Sequence, residues 1–63
     1  MSMNHELLKT YNIRVGHWEI QLKARDAEEA ISLARRAMAR ELPRLYDIIR
    51  ALTAARFQVE AAA

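Results

Sequence analysis

Two runs of alternating apolar and polar residues lie on either side of Gly16-His17. The apolar members are Tyr11, Ile13 and Val15 in the first run, and Trp18, Ile20, Leu22 and Ala24 in the second. Alternation with a period of two is typical of a strand that buries one face. Glycine at the first central position of a two-residue loop is typical of a type II′ turn. Residues 9–25 are therefore predicted to form a β-hairpin.

The register of this hairpin follows from its turn. Opposing the two residues that flank the loop gives these pairs: Val15 with Trp18, Ile13 with Ile20, Tyr11 with Leu22, Arg14 with Glu19, and Asn12 with Gln21. Apolar residues meet on one face and polar residues meet on the other, as cross-strand packing favours. A slip of one residue would oppose apolar to polar side chains, so we expect this register.

Residues 26–42 have the spacing of a helix with one buried stripe. Asp26 is a favourable N-cap residue, and Glu29, three positions later, completes a capping-box pattern. The stripe consists of Ala27, Ala30, Ile31, Ala34, Met38 and Leu42, at helical intervals. Many of these side chains are small, so we expect the helix backbone to lie close to the sheet.

Pro43 interrupts the helical pattern, because proline is unfavourable inside a helix and favourable at its first position. We expect a break or a kink near Leu42, followed over residues 43–52 by a second short helix or a continuation at a new angle. Helical spacing recurs at Leu45, Ile48, Ile49 and Leu52. The alternative is that residues 47–52 are extended.

Residues 54–61 alternate again and are predicted to form a third strand. Its apolar positions are Ala55, Phe57, Val59 and Ala61. The final residues, 61–63, are expected to fray. Residues 1–8 are expected to be flexible, apart from docking of Leu7 and Leu8 on the domain.

Together these elements predict one small α+β domain over residues 1–63, in the order ββα(α)β. Three strands, each with one apolar face, form a mainly antiparallel sheet, and the helix covers that face. If the first strand lies between the second and the third, all neighbouring strands run antiparallel. The connection from the second strand to the third is expected to be right-handed.

The length of 63 residues limits the chain to one domain with a small core. Cysteine is absent from the sequence, which excludes disulfides and thiolate metal sites. A domain of this size needs a partner, self-association or an unusually good core. The first residues lack the features of a secretory signal, and no apolar run reaches membrane-spanning length. We therefore expect a cytoplasmic protein with no membrane partner.

The sequence contains no motif for catalysis or cofactor binding. A single glycine excludes a glycine-rich phosphate loop, and no serine or threonine lies in a nucleophile elbow. His5 and His17 are the only histidines, and they lack the spacing of metal ligands, so we expect them to be exposed and non-ligating. No enzyme activity, cofactor, metal site or small-molecule substrate is expected, because the chain is too small to enclose a substrate pocket.

Positive charge is concentrated in residues 35–56, where six arginines stand against two acidic residues. The acidic residues, Glu41 and Asp47, are expected to neutralise neighbouring arginines. Arg36 and Arg40 are i, i+4 neighbours, and like charges at this spacing repel. Two interpretations follow. The arginines form a solvated helix face, or they bind an anionic partner that relieves the repulsion.

The segment from Leu42 to Ile49 contains more large apolar side chains than one small core requires. Such a surplus is typical of an interface, and a second helix that caps the core would account for it equally well. The candidate partner-binding residues are Arg35, Arg36, Arg40, Arg44, Tyr46, Ile48 and Ile49. Aromatic residues and arginine dominate the binding energy of many interfaces.

We therefore expect a non-enzymatic interaction protein: an adaptor, an accessory protein or an inhibitor, bound to another protein or to itself as a homodimer. One alternative is a small nucleic-acid-binding or regulatory module that uses the arginines of residues 35–56. Another is a structural subunit of a larger complex. In size and composition the chain resembles small proteins carried by phages and plasmids, including anti-CRISPR proteins. That resemblance implies an inhibitor of a host-defence complex.

Overall fold

The computed structural model describes residues 7–62. In chain order the elements are β1 (Lys9–Val15), β2 (Trp18–Ala24), α1 (Ala27–Glu41), a first 3₁₀ helix (Pro43–Leu45), α2 (Tyr46–Ala51), a second 3₁₀ helix (Ala54–Arg56) and β3 (Gln58–Ala61). This is the predicted ββα(α)β order of an α+β fold. The predictions for residues 1–6, His5 included, and for Ala63 lie outside the described residues.

The three strands form one antiparallel sheet in the order β2-β1-β3. The predicted hairpin register is confirmed, with Val15 opposite Trp18 and Ile13 opposite Ile20. Gly16 has a φ of 60°, whereas no other residue in the described chain has a positive φ. Only the first central residue of a type II′ turn requires positive φ, so the backbone fits the predicted turn.

Helix α1 covers one face of the sheet and lies mainly over β2 and β1. The main core cluster consists of Tyr11, Ile13, Ala24, Ala30, Ala34 and Phe57, and Met38 and Ile49 are also buried. Two alanines of α1 face the sheet, so the helix backbone lies close to it, as predicted. Ala27 is exposed instead of buried. Helical side chains lean toward the N-terminus, so the first one leans past the end of the helix.

The N-terminus of α1 is capped largely as predicted. The backbone N–H of Glu29 donates to Asp26 Oδ1 over 2.8 Å. In a capping box the glutamate accepts from the N–H of the cap residue itself. Here Glu29 Oε1 accepts instead from the N–H of Arg25, one residue earlier, over 2.6 Å. The carboxylate therefore ties the connection between β2 and α1 to the first turn of the helix.

Pro43 separates two helices. Leu42 lies outside both, with a φ of −126° and a ψ of 63°, and its N–H donates to the carbonyl of Met38. Proline then begins the first 3₁₀ helix, which runs directly into α2. The second-helix prediction is confirmed, and the extended alternative for residues 47–52 is wrong.

The third strand is shorter than predicted. Residues 54–56 form a 3₁₀ helix, in which the N–H groups of Arg56 and Phe57 donate to the carbonyls of Thr53 and Ala54. The register explains this limit, because Gln58 lies opposite Arg14 and β1 ends one residue later at the hairpin turn. Only Val15 of β1 lies beyond Arg14, so residues before Phe57 have no part of β1 to pair with.

At the C-terminal end, the described residues remain paired with β1. Ala61 belongs to β3 and lies opposite Tyr11. The N–H of Ala62 donates to the carbonyl of Thr10 over 2.8 Å. Pairing with the central strand therefore holds the chain in the sheet as far as Ala62. At the other end, Leu7 and Leu8 are exposed, so they do not dock on the domain.

Candidate interaction surface

Arg35 lies on a flank of α1, half-buried against the C-terminal end of α2. Its Nη1 donates to the carbonyl oxygens of Ile49, over 2.7 Å, and Leu52, over 2.8 Å. Its guanidinium carbon lies 4.9 Å from the ring centroid of Phe57, within the range of a cation–π contact. The structure therefore gives this candidate partner-binding residue an internal role, in which it fastens α2 to α1.

Ile49 is the buried residue of α2, with 2% of its surface exposed. It holds the short helix against the domain, so its side chain is not presented to a partner in this conformation. Of the seven candidate residues, Arg35 and Ile49 thus point inward. The other five are exposed, and they are Arg36, Arg40, Arg44, Tyr46 and Ile48.

The segment from Pro43 to Ala51 is otherwise turned toward solvent. Eight of its nine residues are exposed. Three of those are large and apolar: Leu45 at 42%, Tyr46 at 52% and Ile48 at 61% exposure. The apolar surplus therefore does not serve mainly to cap the core. Leu45 was not among the candidate residues, although it belongs to the segment that the surplus identified.

The exposed apolar side chains of α2 flank Ile49 on opposite sides, since successive helical residues are about 100° apart. Tyr46 lies on one side, with the guanidinium carbon of Arg50 5.8 Å from its ring centroid. Ile48 lies on the other side and lines a shallow groove of about 350 Å³. The other residues that line this groove are Ala51, Leu52, Thr53 and Arg56.

Exposed arginines occur in this segment and on α1. Within residues 7–62, Arg36, Arg40 and Arg44 make no ion pair, and all three are exposed. The expected neutralisation by acidic neighbours is not found in this part of the chain. Glu41 instead accepts a hydrogen bond from Trp18 Nε1 over 3.0 Å, because it lies on the side of α1 that faces β2. The positive charge of the segment therefore remains exposed.

The face of the sheet that α1 leaves uncovered is polar. A depression of about 360 Å³ is lined by residues of both charges, and Arg14 and Glu19 form an ion pair of 3.8 Å at its edge. His17 is exposed at the hairpin tip. Within the described residues, no three acidic, histidine or cysteine side chains group as metal ligands.

We define the α2 surface as the exposed residues of the segment from Pro43 to Ala51 together with the groove beside Ile48. Comparison of the chain with protein-family models, with curated proteins and with solved structures finds no match. None of the helices in residues 7–62 has both the length and the apolar character needed to span a membrane. The α2 surface exposes three large apolar side chains within one segment, Leu45, Tyr46 and Ile48.

Proposed function

We propose that this protein is a non-enzymatic interaction module, an adaptor, accessory protein or inhibitor, that binds a protein partner through the α2 surface. The observation that carries this proposal is the composition of α2. It has one buried side chain, Ile49, while Tyr46 and Ile48 are more than half exposed. Contact between a large apolar side chain and water is unfavourable. A partner that covers the side chain removes it from water, and this burial favours binding.

The charge around the α2 surface defines the chemistry of the partner. Arg44 and Arg50 lie within the segment, and Arg56 lines the groove. Arg36 and Arg40 add exposed positive charge on α1. A partner with an apolar contact site and an acidic rim complements this arrangement. The apolar centre supplies most of the affinity, whereas the rim charges increase the association rate.

The test is affinity capture from a bacterial lysate with tagged protein, followed by quantitative binding to the purified partner. Ile48→Asp is expected to weaken binding about 30-fold, the loss that corresponds to a hot-spot residue. Gln58→Asp places the same carboxylate on an exposed position of β3, on the uncovered sheet face, and is the matched control. Equal affinities for the two variants would refute the proposed surface.

Nucleic-acid binding is the alternative that the exposed, unpaired arginines favour. It predicts that the double variant R36E/R40E loses binding while Ile48→Asp binds normally. It also predicts elution as salt rises, because phosphate contacts are lost as counterions compete. A protein complex that survives about 0.5 M salt, where the Debye length is a few ångströms, supports the protein-partner proposal.

A finer form of the proposal is that the partner is a host-defence complex and that the protein inhibits it, as its size class suggests. The direct assay is phage plating on a bacterium with active CRISPR immunity. Expression of the wild-type chain is expected to restore plating, whereas Ile48→Asp is expected not to. Unchanged plating with wild-type protein would remove this finer form and leave the interaction proposal to the binding assay.

A further inference from the structure

Strand β2 is an open edge of the sheet, since it pairs only with β1. It is seven residues long, contains no proline, and its backbone groups alternate in direction. In a β-turn the first carbonyl accepts from the N–H three residues later, which directs the N–H of Trp18 toward β1. By alternation along an antiparallel pair, Glu19, Gln21 and Lys23 direct their N–H and C=O groups toward solvent.

A hydrogen bond on the other side of β1 confirms which residues of β2 direct their backbone groups outward. Thr10 lies opposite Lys23. The carbonyl of Thr10 accepts from the N–H of Ala62, which follows β3, over 2.8 Å. Thr10 therefore directs its backbone away from β2, and the residue opposite it directs its backbone away from β1. The open edge thus presents unpaired donors and acceptors at three alternate residues.

We propose that β2 pairs antiparallel with β2 of a second copy of this chain, about a two-fold axis at Gln21. The resulting pairs are Glu19 with the second copy's Lys23, Gln21 with its Gln21, Ile20 with its Leu22, and Trp18 with its Ala24, together with their symmetry mates. All seven residues of β2 take part. The two sheets then form one six-stranded antiparallel sheet in which β2 is no longer an edge.

Charge complementarity selects this occupant and this register. Glu19 and Lys23 are exposed on the same sheet face, with Gln21 between them. In the proposed register each Glu19 meets a Lys23, twice per dimer, as cross-strand pairs favour. Arg14, opposite Glu19 on β1, stays on the other side of that carboxylate. A shift of two residues removes both Glu19–Lys23 pairs and shortens the overlap.

The covered face of the sheet is also self-complementary at this edge. Ile20 and Leu22 are half-buried and project on the α1 side. Leu33 lies on the flank of α1 opposite Arg35, on the β2 side, and is half-buried too. Pairing of two copies extends this apolar layer across the two-fold axis and covers what each copy alone leaves partly in water. The other edge, β3, has only four residues.

The test is sedimentation velocity of the full chain over a concentration series. Wild type is expected to sediment as a dimer of the 7.3 kDa chain. Glu19→Lys and Lys23→Glu each convert two attractive pairs into two repulsive ones, so each is expected to raise the dimer dissociation constant at least about tenfold. The double variant E19K/K23E restores complementarity and dimerisation. An equimolar mixture of the two single variants is expected to form heterodimers.

Two further variants separate this interface from other causes. Gln21→Pro removes the central outward N–H, which an edge strand of the monomer tolerates, and is expected to abolish the dimer with an unchanged circular dichroism spectrum. Glu60→Lys places the same charge change on β3 and is expected to leave the dimer intact. A wild-type chain that remains monomeric at millimolar concentration overturns the proposal.

The same experiment distinguishes the β2 interface from the α2 surface. Ile48→Asp is expected to dimerise like wild type, because α2 takes no part in the proposed pairing. A dimer that Ile48→Asp dissociates, or that survives both Glu19→Lys and Gln21→Pro, would show that β2 is not the interface. Partner binding through the α2 surface stands or falls separately, on the capture experiment.

Discussion

The two α-helices of this domain are stabilised in different ways. Helix α1 has fifteen residues, a side-chain N-cap at Asp26 and three buried residues against the sheet. Helix α2 has six residues, no side-chain cap and one buried residue, Ile49. An isolated helix shorter than about 12 residues is marginal in water, so α2 depends on contacts with the rest of the domain. Helix α1 is therefore specified by signals in its own sequence, whereas α2 needs the tertiary structure.

This difference has a functional consequence. Most side chains of α2 are exposed, so they bury little apolar surface in the fold. Tyr46 and Ile48 can therefore serve binding without being needed for folding. Substitutions at Ile49 or Arg35, in contrast, affect how the whole α2 surface is positioned. A partner surface on such a helix is positioned by few contacts, and each of those contacts is correspondingly important.

The largest effect is expected when the buried contact of α2 is removed. Ile49→Ala is expected to destabilise the domain by about 2–5 kcal/mol, because it removes a core side chain and leaves a cavity. Ile48→Ala, the adjacent and exposed isoleucine, is expected to stay within about 0.5 kcal/mol of wild type. Urea unfolding followed by circular dichroism measures both. Similar losses for the two variants would mean that Ile48 packs in solution.

An intermediate effect is expected at the arginine that joins the two helices. Arg35→Ala removes the donor to the carbonyls of Ile49 and Leu52, and is expected to cost about 1–3 kcal/mol. Arg36→Ala, the exposed neighbour, is expected to change stability by less than about 0.5 kcal/mol. Hydrogen exchange adds a local measurement, in which Arg35→Ala lowers amide protection in α2 more than in α1. Uniform loss of protection would contradict a specific role in holding α2.

The smallest effect is expected at the N-terminus of α1. The backbone N–H of Arg25, followed by its guanidinium, lowers the pKa of Glu29. A depressed pKa in the folded state stabilises the fold above the ordinary glutamate range, and this stabilisation is lost as pH falls from that range through the lower pKa of the folded state. Glu29→Gln is therefore expected to reduce the acid dependence of the urea midpoint. An unchanged acid dependence of the urea midpoint would mean that other carboxylates cause it.

Much of the fold was predictable because its signals are local. The turn at Gly16 and the alternation beside it determine the hairpin register, since both act within a few residues. The cap at Asp26 and the stripe of alanines determine α1 in the same way. The prediction was wrong at residues 54–57, where alternation continued but β1 offers only Val15 before its turn. Strand length depends on a partner that is distant in the sequence.

The candidate surface was predictable as a segment and not as a set of side chains. The surplus of apolar residues over 42–49 and the Pro43 break before residues 43–52 located the region. Spacing alone did not show that Ile49 faces inward and Ile48 outward, because both fit one helical pattern. The inward role of Arg35 was likewise invisible, since its acceptors are carbonyls fourteen and seventeen residues away.

The sequence by itself therefore determined the order of the main strands and helices, the hairpin register, the capped helix and the apolar segment with its arginines. These follow from interactions between residues close in the chain, whose geometry is set by strand and helix periodicity. Only the tertiary structure decided which flank of each helix is buried, where β3 begins, and which arginine is bound internally. Those outcomes depend on which distant groups meet, and the packing of α1, α2 and the sheet determines that.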